Sequence, residues 1–242
     1  MAADLSRDPE PPCNPVVVAP EEFAGTAAHH IARSLHAAAM ERKLIGLALS
    51  GGTGPRPVYE ALARIPDVPW GSVEIYFADE RAVPPDHSES NFRLVQESLL
   101  NRLPVTPAAV YRMEGERPDV AGAAADYERL LPPRLDVLVL GIGADGHTAS
   151  LFPQDPAVNE ERRRVLAVRA PVPPERRMTI TAPVIRAART RLVLVAGESK
   201  ARAVALACAG PYDLLACPAQ LARNATWIVD EAAASRLEFG EA

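Results

Sequence analysis

Lysine, cysteine and long apolar runs are what this sequence has least of. Of its 26 basic side chains only Lys43 and Lys200 are lysines, so a lysine at a chemically interesting place carries unusual weight. The three cysteines, Cys13, Cys208 and Cys217, have no metal-type spacing and cannot all pair with one another. That argues against a disulfide framework and a zinc site, and favours a reducing, cytoplasmic location. No stretch approaches the ~20 apolar residues of a membrane helix, and the acidic, proline-rich segment from Met1 to Pro20 has no apolar signal-peptide core. Secretion and membrane insertion are not expected. The sequence also lacks a Gly-x-Ser-x-Gly elbow, which turns the reading away from serine-hydrolase chemistry.

What is present is enough for one substantial core. The 242 residues are 48% hydrophobic and 24% charged, and the net charge of -5 comes from interspersed acids and bases. No broad basic face for nucleic acid or an anionic membrane is implied, so an anionic ligand has to be held by a few placed cations.

After a flexible tail over residues 1–15, Glu21 to Met40 has the spacing of an amphipathic helix, with Phe23, Ala27, Ile31 and Leu35 on one face. Short apolar runs follow at Leu44 to Leu49, Val73 to Ala78, Leu135 to Leu140, Leu192 to Ala196 and Trp227 to Val229. Most are too continuous for strands with one wet face and read as buried parallel strands. Helix-type stretches alternate with them: Pro57 to Arg64, Asn91 to Leu103, Asp119 to Leu131, Pro183 to Ala188, Lys200 to Ala209 and Glu231 to Leu237. The alternation predicts a single α/β domain over residues 16–242, a doubly wound, mostly parallel, Rossmann-like sheet with helices on both faces.

Ligands in such sheets bind beyond the C-terminal strand ends, and four places there stand out. Ser50-Gly51-Gly52-Thr53-Gly54-Pro55 follows the first run and leads into a helix. Its glycines let backbone N–H groups approach a phosphate, though they equally suit an ordinary strand-to-helix turn. It is neither a Walker A loop nor a dinucleotide fingerprint. Asp79-Glu80-Arg81 follows the second run and could orient sugar hydroxyls or meet developing negative charge, the other reading being a solvated turn. Ser90 reads as the N-cap of the helix starting at Asn91.

Gly141-Ile-Gly143-Ala-Asp145-Gly146-His147 forms a glycine-built corner after the third run. It presents His147, whose ordinary pKa near 6.5 leaves a neutral imidazole available to take a proton from water, with Asp145 placed to orient it or to meet a ligand. The other four histidines lie on a helix or in a polar loop. Finally, Arg177 precedes the fourth run and Lys200 follows it. A lysine at a helix start opposes the dipole unless an anion is shared there.

Taken together, Leu49-Ser-Gly-Gly52, Asp79-Glu-Arg81 with Ser90-Asn91, Gly141 to Pro153, Arg177-Met-Thr179 and Gly197-Glu-Ser-Lys200 resemble the 6-phosphogluconolactonases in order and spacing, from about Glu21 to Ala233. The resemblance implies hydrolysis of 6-phosphogluconolactone to 6-phosphogluconate in the oxidative pentose phosphate pathway, without metal or organic cofactor. It implies His147 as general base, Arg81 steadying substrate or oxyanion with Asp79 beside it, and phosphate held by the Ser50-Gly51-Gly52 loop, Lys200 and Arg177. Thr53 belongs to that loop but departs from the family, which more often has Ser-Thr-Pro where this chain has Thr53-Gly54-Pro55. The partner is then a small phosphorylated sugar lactone, and the chain a monomer or weak homodimer binding neither nucleic acid nor membrane.

Two alternatives stand beside this. Glucosamine-6-phosphate deaminases resemble this chain in fold and share Asp-Gly-His, but carry a glutamate where Phe152 stands. A non-catalytic sugar-phosphate sensor would need a DNA-binding module that no segment supplies.

Overall fold

The computed structural model of the protein describes residues 13–52 and 54–237. Strand β1 (Val16–Val18) leads into helix α1 (Pro20–Ala39), followed by β2 (Ile45–Leu49), α2 (Pro55–Leu62), β3 (Val73–Phe77) and β4 (Asp79–Arg81). Helix α3 (Asn91–Ser98), β5 (Ala109–Val110), α4 (Val120–Leu130) and β6 (Val137–Leu140) come next. The rest runs through β7 (Val165–Arg169), β8 (Arg176–Ile180), α5 (Ala182–Ala187), β9 (Thr190–Val195), α6 (Ala201–Ala209), β10 (Thr226–Asp230) and α7 (Glu231–Ala234).

Seven strands form one sheet in the order β1-β10-β9-β6-β2-β3-β5, every neighbouring pair parallel. The continuous apolar runs exist because both faces are covered. In β2, Ile45, Leu47 and Leu49 enter the core under α1 and α2, whereas Ala48 enters the opposite core. In β6 the same alternation sends Val137 and Val139 to one side and Leu138 and Leu140 to the other. The predicted face of α1 is the buried one, with Ala27, Ile31 and Leu35 fully covered. Ser90 caps α3 by accepting the Arg93 N–H at 3.2 Å.

The sequence reading missed a second sheet. Strands β4, β8 and β7 pair antiparallel, with Asp79 opposite Thr179 and Arg81 opposite Arg177. Short strands rich in arginine and acid carry no apolar signal, so Asp79-Glu80-Arg81 looked like a loop; it is a strand with Asp79 and Glu80 buried. The helix from Asn91 stops at Ser98, and a 3₁₀ turn covers Leu100–Arg102.

The cysteine reading also needs correcting. A disulfide joins Cys13 to Cys208, whose Cα atoms are 4.8 Å apart, and leaves Cys217 free and buried. The pairing was hidden because β1 lies beside β10 at one sheet edge, which brings the start of the chain against α6. Residues 1–12 of the expected tail lie outside the described residues; Cys13 is tied down, its N–H donating to the Cys208 carbonyl at 3.2 Å. Among the described residues no helix is long and apolar enough to cross a membrane.

Candidate active site

The ends of β2, β4, β6, β8 and β9 converge on a cavity of about 220 Å³. Ser50, Gly51, Gly52, Asp79, Arg81, His147, Arg177 and Lys200 all line it, Asp145 stands behind His147, and Thr53 lies outside the described residues.

At the end of β2, Ser50 is used structurally. Its hydroxyl donates to the Val139 carbonyl at 2.9 Å, and its carbonyl accepts the Tyr59 hydroxyl at 2.6 Å. What the loop offers the cavity is therefore backbone, with the start of α2 behind it, an arrangement suited to an anion. Gly51 packs so closely against the Asn91 amide that a Cβ there would overlap it.

Strand β4 supplies three side chains with different tasks. One carboxylate oxygen of Asp79 accepts the Asn91 amide at 3.0 Å, and the other accepts the Ser150 hydroxyl at 2.6 Å. Glu80 turns away from the cavity and accepts the backbone N–H groups of Arg81, Asn91 and Phe92 at 2.7–2.8 Å, capping α3 with the Ser90 hydroxyl. Burial pushes its carboxyl up, against the pull of those N–H donors. Arg81 pairs with Glu89 at 3.5 Å while its buried Nε has no hydrogen-bond partner among the described residues.

The corner after β6 is fixed by its own bonds. The Gly143 N–H donates to the His147 carbonyl at 2.9 Å, and the Thr148 hydroxyl donates to the Gly141 carbonyl at 2.9 Å. Glycine is required at 143, since a Cβ there would collide with the imidazole and the Asp145 carboxylate. His147 Nδ1 lies 2.6 Å from Asp145 Oδ1. A carboxylate only accepts, so Nδ1 carries the hydrogen, and in the neutral ring that tautomer leaves the lone pair on Nε2. Burial acts to raise the Asp145 carboxyl, but the bond and charge of His147 outweigh it and hold it below the usual range. Gly141, Gly143 and Gly146 have dinucleotide-fingerprint spacing, but no helix follows them, so the phosphate-facing N-terminus of that motif is missing.

The Phe152 ring centroid lies 4.8 Å from that of His147, and the Arg177 guanidinium sits 5.5 Å above the same ring. Arg177 is buried, donates from Nε to the Pro174 carbonyl at 3.0 Å, and is pulled below the usual guanidinium range by burial and then by Arg81. Lys200 ends the short 3₁₀ turn Glu198–Lys200 and makes no ion pair among the described residues. Ser150, Asn91 and Phe152 were not picked out as site residues. All three fall in segments that carry the family resemblance, but the contacts that place them at the site join distant parts of the chain and have no local pattern.

The cavity thus gathers three cationic side chains, Arg81, Arg177 and Lys200, and an imidazole whose Nδ1 is held by a carboxylate. Among the described residues no group of three or more His, Cys, Asp or Glu stands together as a metal site.

Residues 19–229 match the family described as glucosamine-6-phosphate isomerases/6-phosphogluconolactonase. A 6-phosphogluconolactonase of Streptomyces coelicolor is 37% identical over 239 residues, covering 90% of this chain and 91% of that one. One from Mycobacterium tuberculosis is 37% identical over 203 residues, covering 77% and 82%. Among solved structures, 6-phosphogluconolactonase from Trypanosoma cruzi superposes with a TM-score of 0.81 at 26% identity, over 96% of this chain and 99% of that one.

Proposed function

The chain belongs to the family of glucosamine-6-phosphate isomerases and 6-phosphogluconolactonases, and from that premise we propose that it hydrolyses 6-phospho-D-glucono-1,5-lactone to 6-phosphogluconate in the oxidative pentose phosphate pathway. The observation that carries this reading is the Asp145–His147 pair facing the same cavity as Arg81, Arg177 and Lys200.

His147 Nε2 takes a proton from water as the water oxygen attacks the lactone carbonyl. The carbonyl oxygen becomes an oxyanion, met by Arg81. Collapse of the tetrahedral intermediate breaks the bond to the ring oxygen, which receives the proton back from the imidazolium, and the new carboxylic acid ionises. The backbone at Gly51 and Gly52, with Lys200 and Arg177, holds the phosphate and so fixes the lactone against His147. This division of labour needs no nucleophilic side chain and no cofactor.

The protein acts as one domain, monomeric or weakly dimeric, in the cytoplasm, without nucleic acid or membrane. The test generates the lactone in place with glucose-6-phosphate dehydrogenase and follows its loss, with glucosamine 6-phosphate as control substrate. Faster loss of lactone and no release of ammonia are expected. Spontaneous-rate hydrolysis would sink the proposal, and ammonia release would put the deaminase reading in its place.

A further inference from the structure

We propose that Ser150 is a positioning residue that, through Asp79, holds the His147 corner in register with the small sheet carrying Arg81 and Arg177. This rests on the lactonase reading, in which base and arginine act on one carbonyl.

The two reacting groups come from different sheets. His147 follows β6 of the seven-stranded sheet, whereas Arg81 and Arg177 lie on β4 and β8 of the three-stranded one. The bonds to Gly141 and Gly143 give the corner its shape but tie it only to its own strand. Ser150 makes the polar crossing. Its hydroxyl donates to Asp79 Oδ2 at 2.6 Å, and its N–H donates to Thr179 Oγ1 at 3.1 Å. Asp79 and Thr179 are themselves opposed partners in the β4–β8 ladder, so one residue is pinned to both strands at once.

All three residues are buried, where a hydroxyl-to-carboxylate bond gains strength from the low local polarity. Ser150 reaches this place because Ala149, beside the cavity, adopts a left-handed φ of 49°. Alanine resists that conformation, and such a conformation persists where its surroundings over-determine it. The second oxygen of Asp79 holds Asn91, whose amide backs Gly51 of the phosphate loop. With both oxygens engaged, Asp79 is placed to position its neighbours, and acid–base work falls to His147.

Ser150→Ala deletes the hydroxyl and keeps the backbone bond to Thr179. Because small misplacements of reacting groups cost up to about 10²-fold in rate, kcat for the lactone should fall by about tenfold or more, with KM held within about twofold. Ser150→Cys retains a weak donor of similar reach and should recover part of kcat. Melting midpoints of the same samples separate this from loss of folded protein. A kcat per folded molecule equal to the parent, or a loss confined to KM, overturns the proposal. Should Ser150→Ala yield no folded protein, Ser150→Cys carries the test alone, a reduced kcat at constant KM supporting it and a parental kcat overturning it. An inactive parent protein would instead remove the lactonase reading.

Discussion

Arg81 and Arg177 stand directly opposite one another in the antiparallel β4–β8 pair. Like charges in that relation are destabilising, and here burial adds to the cost of the second. On the proposed reading, a phosphate dianion held by Arg177 and Lys200 offsets that cost. Inorganic phosphate should therefore raise the melting temperature well beyond the effect of chloride at equal ionic strength, by an amount equivalent to about 2.7 kcal/mol at a hundred times its Kd. Lys200→Ala should shrink that rise and increase KM for the lactone more than it lowers kcat. Equal effects of phosphate and chloride on the parent protein would count against a phosphate cradle.

Replacing His147 tests the base directly. His147→Ala should lower kcat by roughly 10²–10⁴-fold, the usual worth of a general base, while phosphate still stabilises the fold because none of its ligands has changed. Near-normal turnover would end the assignment.

Asp145→Asn tests the orienting carboxylate. An amide can present its N–H to Nδ1 and favour the wrong tautomer, so kcat should fall with little change in phosphate affinity. The same variant has a pH signature. The Asp145 carboxyl is held below its ordinary value, so its contribution to stability is present above the unfolded pKa of about 3.9 and is lost as pH falls through the lower folded value. The gap in melting temperature between parent and variant should close as pH falls below about 4, and a gap that persists undiminished there contradicts the part given to the carboxylate.

Gly51→Ala places a methyl group on the Asn91 amide. Overpacking of this kind costs about 1–3 kcal/mol, and the displaced Asn91 also lets go of Asp79. Both melting temperature and kcat/KM should drop. A silent substitution would mean that the loop has slack the structure does not display.

Thiol counting checks the cysteine pairing. Protein unfolded without reductant, with thiols trapped at lysis, should titrate one cysteine, Cys217, and three after reduction. A disulfide is uncommon in the cytoplasm. Three thiols at the outset would show that the bridge does not form there.

The large sheet was legible because its strands are buried on both faces and say so: Val137 to Leu140 is an unbroken apolar run, Leu44 to Leu49 carries nothing more polar than Gly46, and each leads into a glycine-rich turn. Several of the cavity residues were legible by position, since the C-terminal ends of neighbouring parallel strands meet at one edge of the sheet. The small sheet was not. Asp79-Glu80-Arg81 is a strand because it pairs with β8, which itself pairs with β7, and nothing local in Asp79-Glu80-Arg81 encodes a partner almost 100 residues away. Ser50 was expected to face the ligand as part of a phosphate loop, and its hydroxyl turns inward to β6, a choice made by the neighbouring strand. The link from Ser150 to Asp79 belongs to the same class, contacts between segments that are individually unremarkable.

Strand β1 pairs in parallel with β10, Val16 lying beside Ile228. The first described strand therefore cannot complete its ladder until almost the whole described chain has been made, and the Cys13–Cys208 bridge, which closes the same edge, likewise waits for a distant segment of the chain.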